Sequence, residues 1–213
     1  MENNNQEHQQ LMEKAISSAN LLERATSNQR YAENDFDGWV NSLFKNLSFS
    51  SVLDVCCGTG NQLALYAAMP EISYIAGVDI SQQSLDVAKN RVLERNRDVH
   101  LVLKPVRIEE MFSDPDLNNR QYDLISCFYG LYYAEDVNKL LHEIIEHLSS
   151  DGTILIVGPY GDNNAKLFSL LERYYNLPEL VKRSATTFME KEVIPVLSKY
   201  CRIESNTFKN III

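Results

Sequence analysis

Short apolar runs alternate with helix-like segments from residue 51 to residue 157, and this alternation constrains the fold more than any other feature of the chain. The first and fifth apolar runs are continuous rather than alternating, as is typical of parallel strands that are covered on both faces. Strands separated by helices at this spacing form right-handed βαβ units. The sequence therefore predicts an α/β fold with a doubly wound, mostly parallel sheet and helices on both faces.

The predicted elements follow from apolar periodicity and from turn residues. Strands are expected at 51–56, 74–79, 99–103, 122–128 and 153–157, with a last strand-like stretch at 202–208. Helices are expected at 61–69, 81–95, 136–148, 164–175 and 191–199, the second of them capped by Ser81.

Three regions are expected along the chain. Residues 1–10 are polar and predict a disordered tail. Residues 11–47 hold two segments with helical apolar spacing, at 11–26 and 37–47, and predict an N-terminal helical cap or lid. Residues 48–213 carry the strand–helix alternation and predict the α/β domain.

Charge and cysteine content limit the partners. The formal net charge of −9 disfavours nucleic acids and anionic membranes, because phosphate contacts need Lys and Arg. No apolar run approaches the ~20 residues that span a bilayer. The four cysteines lack the paired CxxC spacing of a zinc site, so no metal is expected. Unpaired cysteines are typical of a reducing compartment, and the cytoplasm is the expected location.

Ligand-binding residues are expected just after the strands, because ligands of open α/β sheets bind beyond the carboxyl ends of the strands. Gly58 and Gly60 form a tight turn after the first strand, where no Cβ keeps a ligand from the backbone. Asp79 ends the second strand 19 residues after Gly60. At this spacing a carboxylate can accept hydrogen bonds from both hydroxyls of a ribose. Each feature alone also fits an ordinary turn or helix start, but the pair is far more specific.

A dinucleotide-dependent dehydrogenase is the rival interpretation of a glycine-rich first turn. That class requires the pattern G-x-G-x-x-G. Counted from Gly58, the third glycine position holds Leu63, so the match fails.

Four segments between residues 50 and 158 resemble, in order and spacing, motifs of class I S-adenosylmethionine (SAM)-dependent methyltransferases. They are LDVCCGTG at 53–60 (motif I, D-x-G-x-G-x-G), GVDIS at 77–81, YDLISCF at 122–128 and LSSDGTILI at 148–156. The resemblance implies a Rossmann-like methyltransferase domain over 48–213, with SAM as cofactor and S-adenosylhomocysteine (SAH) as product.

The resemblance also implies roles for individual residues. Gly58 and Gly60 are expected to pass close to the methionine moiety of SAM. Asp79 is expected to bind the ribose, and Ile80 to pack on the adenine. Asp54 is expected to orient the turn or to hold the ammonium group of the ligand through water.

Phe128 and Tyr129, after the fourth strand, are expected to flank the sulfonium.

The chain departs from the family pattern in three places. Cys56 stands where motif I has its first glycine. The third strand is not followed by the acidic residue that often binds the adenine amino group. Two alternatives stay open: backbone groups around Val106 and Arg107 contact the adenine amino group, or this contact is missing. The motif (D/N)-P-P-(Y/F) is also absent after the fourth strand, which disfavours an amide or exocyclic amino nitrogen as acceptor.

The acceptor pocket is expected beside the sulfonium, because methyl transfer depends mainly on aligning acceptor, methyl group and sulfur. Tyr132 and Tyr133 follow the fourth strand, and Tyr160 follows the fifth. Tyr31 and Trp39 of the N-terminal cap could close over the site as a lid. Simple loop packing is the alternative explanation for the tyrosines. The sequence identifies no catalytic base.

The leading hypothesis is SAM-dependent methyl transfer to a small-molecule acceptor. Aminopropyl transfer on the same fold is a second hypothesis, but that class wants acidic residues around the acceptor, and only Glu135 and Asp136 are near. A non-catalytic methyltransferase-like binding subunit is a third hypothesis, favoured by the missing acidic residue after the third strand.

The C-terminal residues leave two explanations open. Family members usually finish with an antiparallel strand pair, for which 202–208 would be the first strand while 211–213 only begin the second. Either the sequence is a fragment of a longer chain, or a partner completes the sheet, and a homodimer is one such arrangement.

Overall fold

The computed structural model describes residues 34–45, 47–161, 165–177, 182–183 and 187–208. The predicted tail at 1–10, the predicted helix at 11–26 and Tyr31 lie outside these ranges. The strands are β1 (Ser51–Val55), β2 (Tyr74–Val78), β3 (His100–Lys104), β4 (Tyr122–Phe128) and β5 (Leu148–Val157). The α-helices are α1 (Phe36–Phe44), α2 (Asn61–Ala67), α3 (Gln82–Arg95), α4 (Pro115–Asn118), α5 (Val137–Glu146), α6 (Ala165–Leu171) and α7 (Ile194–Leu197). Two 3₁₀ segments (Ile108–Ser113 and Leu131–Tyr133) and a π-helical turn (Met189–Val193) complete the set.

The five strands form one parallel sheet in the order β3-β2-β1-β4-β5. β1 pairs with β2 on one side and with β4 on the other. The strand order therefore reverses between β1 and β4, and the carboxyl ends of these two strands form the switch point at which such sheets bind ligands. The predicted doubly wound α/β fold is confirmed. Over the described residues the sheet is wholly parallel rather than mostly parallel.

Helices cover both faces of the sheet because successive side chains of a strand point to opposite sides. In β1, Leu53 and Val55 belong to a buried cluster with residues of α5 and α7. Val52 belongs to a second cluster with residues of α1, α2 and α3. β1 and β2 are buried along their whole length. The strand ends that carry the site therefore rest on a two-sided core.

The helix starts agree with side-chain capping. Ser81 Oγ accepts a hydrogen bond from the backbone N–H of Ser84 at 3.3 Å, which begins α3 as predicted. The Asp136 carboxylate accepts from the backbone N–H of Lys139 at 2.9 Å and begins α5. None of the helices within the described ranges is long and apolar enough to cross a membrane.

The predicted sixth strand at 202–208 is wrong. These residues pair with no strand in the part of the chain that the structure describes. Arg202 and Glu204 form an exposed ion pair on one side of the segment. That side therefore carries charge instead of the apolar surface that a half-buried strand buries.

Other boundaries differ more modestly. The predicted helix at 191–199 consists of the π-helical turn followed by α7, and Pro195 at the start of α7 lacks the N–H that a continuous helix needs. β5 begins at Leu148 rather than 153, with an irregular register opposite β4. The 3₁₀ segment after β3 and helix α4 were not expected from the apolar pattern, although the Asp114 carboxylate caps α4 by accepting from the N–H of Asp116 at 2.9 Å.

Gly60 fixes how closely α2 approaches α3. Its backbone is left-handed, with φ of 77°. A Cβ at this position would lie 2.6 Å from Cβ and 2.8 Å from Cα of Ala88 in α3. Both the backbone angle and the helix contact therefore require glycine here.

We expect Gly60→Ala to lower the free energy of unfolding by about 2–4 kcal/mol, because it adds left-handed backbone strain and a clash with Ala88. Gly161→Ala is the matched control, since Gly161 has φ of 63° but no atom within 4 Å of an added Cβ. Gly161→Ala should lower the free energy of unfolding only by the backbone contribution of about 1–2 kcal/mol. Urea unfolding followed by circular dichroism measures both variants. Equal losses would contradict the packing explanation.

Candidate functional site

The turn after β1 is held in an unusual backbone conformation at the switch point. Cys56, Gly58 and Gly60 all have positive φ, of 58°, 53° and 77°. The Gly60 N–H donates to the carbonyl oxygen of Cys57 at 2.9 Å, and the Cys57 N–H donates to that of Val78 at 2.9 Å. Left-handed backbone at a non-glycine residue such as Cys56 is costly and is found mainly where the surroundings and the function impose it.

The Asp79 carboxylate joins this turn to the start of α3. One of its oxygens accepts from the Gly58 N–H at 2.9 Å and the other from the Ser81 N–H at 2.9 Å. Burial raises the pKa of the Asp79 carboxyl, although both backbone donors oppose the shift. Ile80 follows directly and is 49% exposed. The structure thus brings Gly58, Asp79 and Ile80 together as predicted, with an apolar side chain open beside a half-buried carboxylate.

Asp54 lies in the middle of β1, beneath this turn, and is 1% exposed. Its carboxylate accepts a hydrogen bond from Ser126 Oγ at 2.6 Å. Burial, together with the nearby negative charge of Asp79, raises the pKa of Asp54 to about 7 despite that hydrogen bond. The buried hydroxyl of Tyr66 lies near Ser126 but makes no hydrogen bond of ordinary geometry with the described residues. The switch point therefore holds polar groups whose hydrogen-bonding capacity is only partly used.

The loop after β4 packs directly on the β1 turn. A Cβ added to Gly130 would collide with the Cβ of Cys56 and lie 2.8 Å from its Sγ. The neighbouring Cys127 thiol and burial raise the pKa of Cys56, so its thiol stays protonated. Tyr129 has a positive φ of 54° and is 47% exposed, and its N–H donates to the carbonyl oxygen of Val157 at 2.8 Å. Phe128, just before it, is half-buried against the core face that holds α1.

Arg107 ties the loop after β3 to the loop after β4. Its guanidinium group lies 2.8 Å from the Glu135 carboxylate and 3.4 Å from the Glu109 carboxylate. Val106 packs against the core on the α5 side of the sheet. The side chains of Val106 and Arg107 are therefore engaged within the protein. A backbone contact from these residues to adenine stays a prediction.

Of the tyrosines predicted for the acceptor pocket, the structure brings Tyr132 and Tyr133 into contact with each other. The ring centroid of Tyr132 lies 5.9 Å from that of Phe188 and 4.7 Å from that of Tyr133, so Tyr132 packs on the core. Tyr160 is exposed after β5. This arrangement fits the alternative of loop packing for Tyr132.

Trp39 takes part in a cluster of four aromatic residues, and sequence reasoning missed two of its members. We call this group the aromatic cap cluster; it consists of Phe36, Trp39, Tyr129 and Phe208. Phe36 and Phe208 were missed because no local pattern relates the start of α1 to a segment about 170 residues later.

His142 and His147, in α5 and at its end, make structural contacts with their own helix. Nδ1 of His142 bonds to the carbonyl oxygen of Asn138 at 2.7 Å, and Nδ1 of His147 to that of Glu143 at 2.7 Å. His147 also stacks on Phe112, with ring centroids 3.6 Å apart. Within the described ranges, no group of His, Cys, Asp or Glu has the arrangement of a metal site.

Comparison with known protein sequences places the chain in one family. A family model described as "Methyltransferase domain" matches residues 28–188. A demethylmenaquinone methyltransferase of Lactobacillus johnsonii is 25% identical over 190 residues, covering 83% of this chain and 76% of the relative. A protein of the same name from Leptospira interrogans is 29% identical over 139 residues, covering 63% of this chain and only 50% of the relative.

Solved structures show the same fold. A SAM-dependent methyltransferase from Clostridium acetobutylicum superposes with a TM-score of 0.55 at 24% identity, covering 70% of this chain and 61% of that one. The plantazolicin methyltransferase BpumL in complex with SAH superposes with a TM-score of 0.58 at 18% identity, covering 88% of this chain and 73% of that one. The family match spans the whole sheet and the switch-point residues, and the chain therefore belongs to the methyltransferase-domain family, whose cofactor is SAM.

Proposed function

We propose that this methyltransferase transfers the methyl group of SAM to a small-molecule acceptor at the carboxyl ends of β1 and β4. The observation that carries the proposal is the Asp79 carboxylate, held by the N–H groups of Gly58 and Ser81 beside the exposed Ile80. This arrangement offers charged acceptor oxygens and an apolar surface side by side, as a ribose and its adenine require.

The described residues fit the cofactor. Each Asp79 oxygen has a lone pair left after accepting from the backbone, so the carboxylate would bind the ribose hydroxyls. Ile80 would pack on the adenine, and Asp54 would hold the ammonium group through water or keep the turn in place. When bound, SAM supplies a methyl group already activated on a positively charged sulfur. The chain's own task is to position the acceptor and to exclude water.

Several features support a small acceptor in the cytoplasm. The net charge of −9 disfavours a polyanionic partner. All four cysteines are free thiols, as is common in a reducing compartment. The name of the Lactobacillus johnsonii relative also points to a small molecule as acceptor.

Aminopropyl transfer is the less favoured alternative, because the two acidic residues near the acceptor position already have partners within the protein. Glu135 is paired with Arg107 at 2.8 Å. Asp136 is occupied by the N–H of Lys139 at the start of α5. Both acidic side chains near the acceptor position therefore already have a partner within the protein, and for Glu135 that partner is a cation that offsets its charge. A binding subunit without catalysis remains the second candidate. A methyl-transfer assay, made once SAH binding has been established, separates such a subunit from an active enzyme.

We expect Asp79→Ala to weaken SAH binding by about 10- to 100-fold, because hydrogen bonds to a charged group are lost. Asp79→Asn keeps one carbonyl oxygen without the charge, so its SAH affinity should lie between those of Asp79→Ala and the original protein. Asp86→Ala is the matched control, since Asp86 is an exposed carboxylate on α3 whose partner among the described residues is Gln82. Isothermal titration calorimetry measures all four proteins. Unchanged affinity in Asp79→Ala would contradict the proposed cofactor site.

We expect Asp54→Asn to stabilise the protein at pH 8 and to change little at pH 4. The Asp54 carboxyl titrates at 3.8 when unperturbed and at about 7 in the folded protein. The folded state therefore holds the proton more tightly. The associated stability is fully present below pH 3.8 and is lost as the pH rises to about 7. The difference is on the order of 4 kcal/mol.

The asparagine oxygen still accepts from Ser126 but does not ionise. Urea unfolding midpoints at both pH values measure the effect, and the original protein at each pH is the reference. A gain of equal size at pH 4 and pH 8 would show that ionisation of Asp54 is not its cause.

A further inference from the structure

The polar pair Asp54 and Ser126 lies on one face of the sheet, beneath the turn after β1. The two residues stand opposite each other where β1 pairs with β4. Val52 and Leu124, two positions earlier in the same strands, belong to the buried cluster that holds residues of α1, α2 and α3. Because side chains alternate along a strand, Asp54 and Ser126 point to that same face. The pair is therefore buried between the sheet and these helices.

Tyr66 of α2 reaches this pair from the helix layer. Its side chain is fully buried, and its hydroxyl lies near Ser126 and within electrostatic range of Asp54. Its ring packs edge-on against Phe44 of α1 at 5.3 Å and against Phe49 at 6.2 Å between centroids. Such ring contacts fix the direction in which the hydroxyl points. The interior therefore presents a second hydroxyl, besides that of Ser126, to a single carboxylate.

The Tyr66 hydroxyl is unfavourable unless it donates. It makes no hydrogen bond of ordinary geometry with the described residues, and a buried donor in that condition lowers the stability of a fold. A phenylalanine would keep the ring contacts without this cost. The hydroxyl offsets the cost only in a state of the protein that needs a donor. Ionised Asp54 is such a state, because hydrogen bonds to the charged form of a carboxyl group favour it.

The other groups around Asp54 do not neutralise its charge. Asp79, just after β2, adds a second negative charge. Burial and the two aspartates raise the pKa of the Cys57 thiol in the turn, so this group stays protonated. A thiol is only a weak donor, whereas hydroxyls are strong donors. Ser126 Oγ already donates to Asp54 at 2.6 Å, and its lone pairs can accept from Tyr66 in turn.

We propose that Tyr66 is a positioning residue of the cofactor site: its hydroxyl, acting with that of Ser126, stabilises the negative charge with which Asp54 holds the ammonium group of SAM. The proposal rests on the proposed function, in which Asp54 has this role. Tyr66 acts on the cofactor through Asp54. Its effect on binding should therefore depend on whether Asp54 is ionised, which the effect of a purely structural residue would not.

Calorimetric titration of the full chain with SAH at pH 6 and pH 9 tests the proposal. The pKa of Asp54 is about 7, so the ionised fraction and the SAH affinity should fall below that pH. Loss of a donor to the ionised form raises this pKa further. We expect Tyr66→Phe to bind SAH about three- to tenfold more weakly than the original protein at pH 6, and equally well at pH 9. The titration of SAH itself is the same for both proteins and cancels in the ratio of their affinities.

Two further variants calibrate this ratio. Ser126→Ala removes the hydroxyl that donates directly to Asp54, so its affinity should show the same dependence on pH. Tyr122→Phe is the matched control, because it removes the same atom from another fully buried tyrosine, whose hydroxyl donates to the carbonyl oxygen of Leu117 at 3.1 Å. Its affinity relative to the original protein should be equal at both pH values. A ratio for Tyr66→Phe that does not change with pH would overturn the proposal.

Urea unfolding of the same proteins without ligand measures the coupling independently of SAH. The folded state holds the Asp54 proton more tightly than the unfolded state, so stability is lost as the pH rises through about 7. A higher folded-state pKa in Tyr66→Phe increases that loss. Relative to the original protein, its unfolding constant should rise about three- to tenfold more at pH 9 than at pH 5. An equal change at both pH values would contradict the role of Tyr66.

The two measurements separate this inference from the proposed function. Absence of SAH binding by the original protein would refute the proposed function and, with it, the cofactor role of Tyr66. The unfolding data would then still decide whether Tyr66 stabilises the Asp54 charge. SAH binding that is equally strong in Tyr66→Phe and the original protein at pH 6 would leave the proposed function intact and overturn this inference alone.

Discussion

The site depends on one hydrogen-bonded carboxylate. Asp79 accepts from Gly58 on the turn after β1 and from Ser81 at the start of α3, and so fixes two loops that come from neighbouring strands. Among the described residues, Asp79 is the side chain that accepts a hydrogen bond from the backbone of this turn and so holds its left-handed conformation. The same carboxylate is the residue proposed to bind the ribose, so one side chain would both shape the turn and contact the ligand. Under the proposed function, stability of the turn and affinity for the ligand are coupled through a single side chain.

Asp54 shows the opposite relation between stability and function. Burial beneath the turn favours its neutral form and raises its pKa to about 7, which makes the ionised carboxylate a source of instability at neutral pH. One hydrogen bond from Ser126 offsets only part of this effect. A residue of similar shape without a charge would fold more favourably, and we infer that the carboxylate is kept for the ligand. Perturbed carboxyl groups are common at functional sites for this reason.

Sequence reasoning captured what depends on local pattern. The five strands and the switch point followed from apolar runs and helix caps, and Asp79 followed from its spacing to the glycine turn. The expected strand at 202–208 failed because pairing depends on partners that the pattern does not specify. The expectation that Tyr132 lines the acceptor pocket stays a prediction; its packing on Phe188 did not follow from the local pattern, because it is a contact with a distant residue. Phe208 was missed for the same reason: its contact with α1 is purely tertiary.

The contact between Gly130 and Cys56 has an evolutionary consequence. Because any side chain at position 130 would meet the Cβ and Sγ of position 56, the two sites share one small volume. Their sizes are expected to be inherited as a pair: a cysteine at 56 forces glycine at 130, whereas a glycine at 56 would remove the two closest contacts and leave the Cys127 Sγ, 3.2 Å away, as the remaining restriction. A family alignment should then show that a larger residue at one of these positions goes with a smaller residue at the other. Family members with cysteine in place of this motif I glycine should carry glycine at the position equivalent to 130.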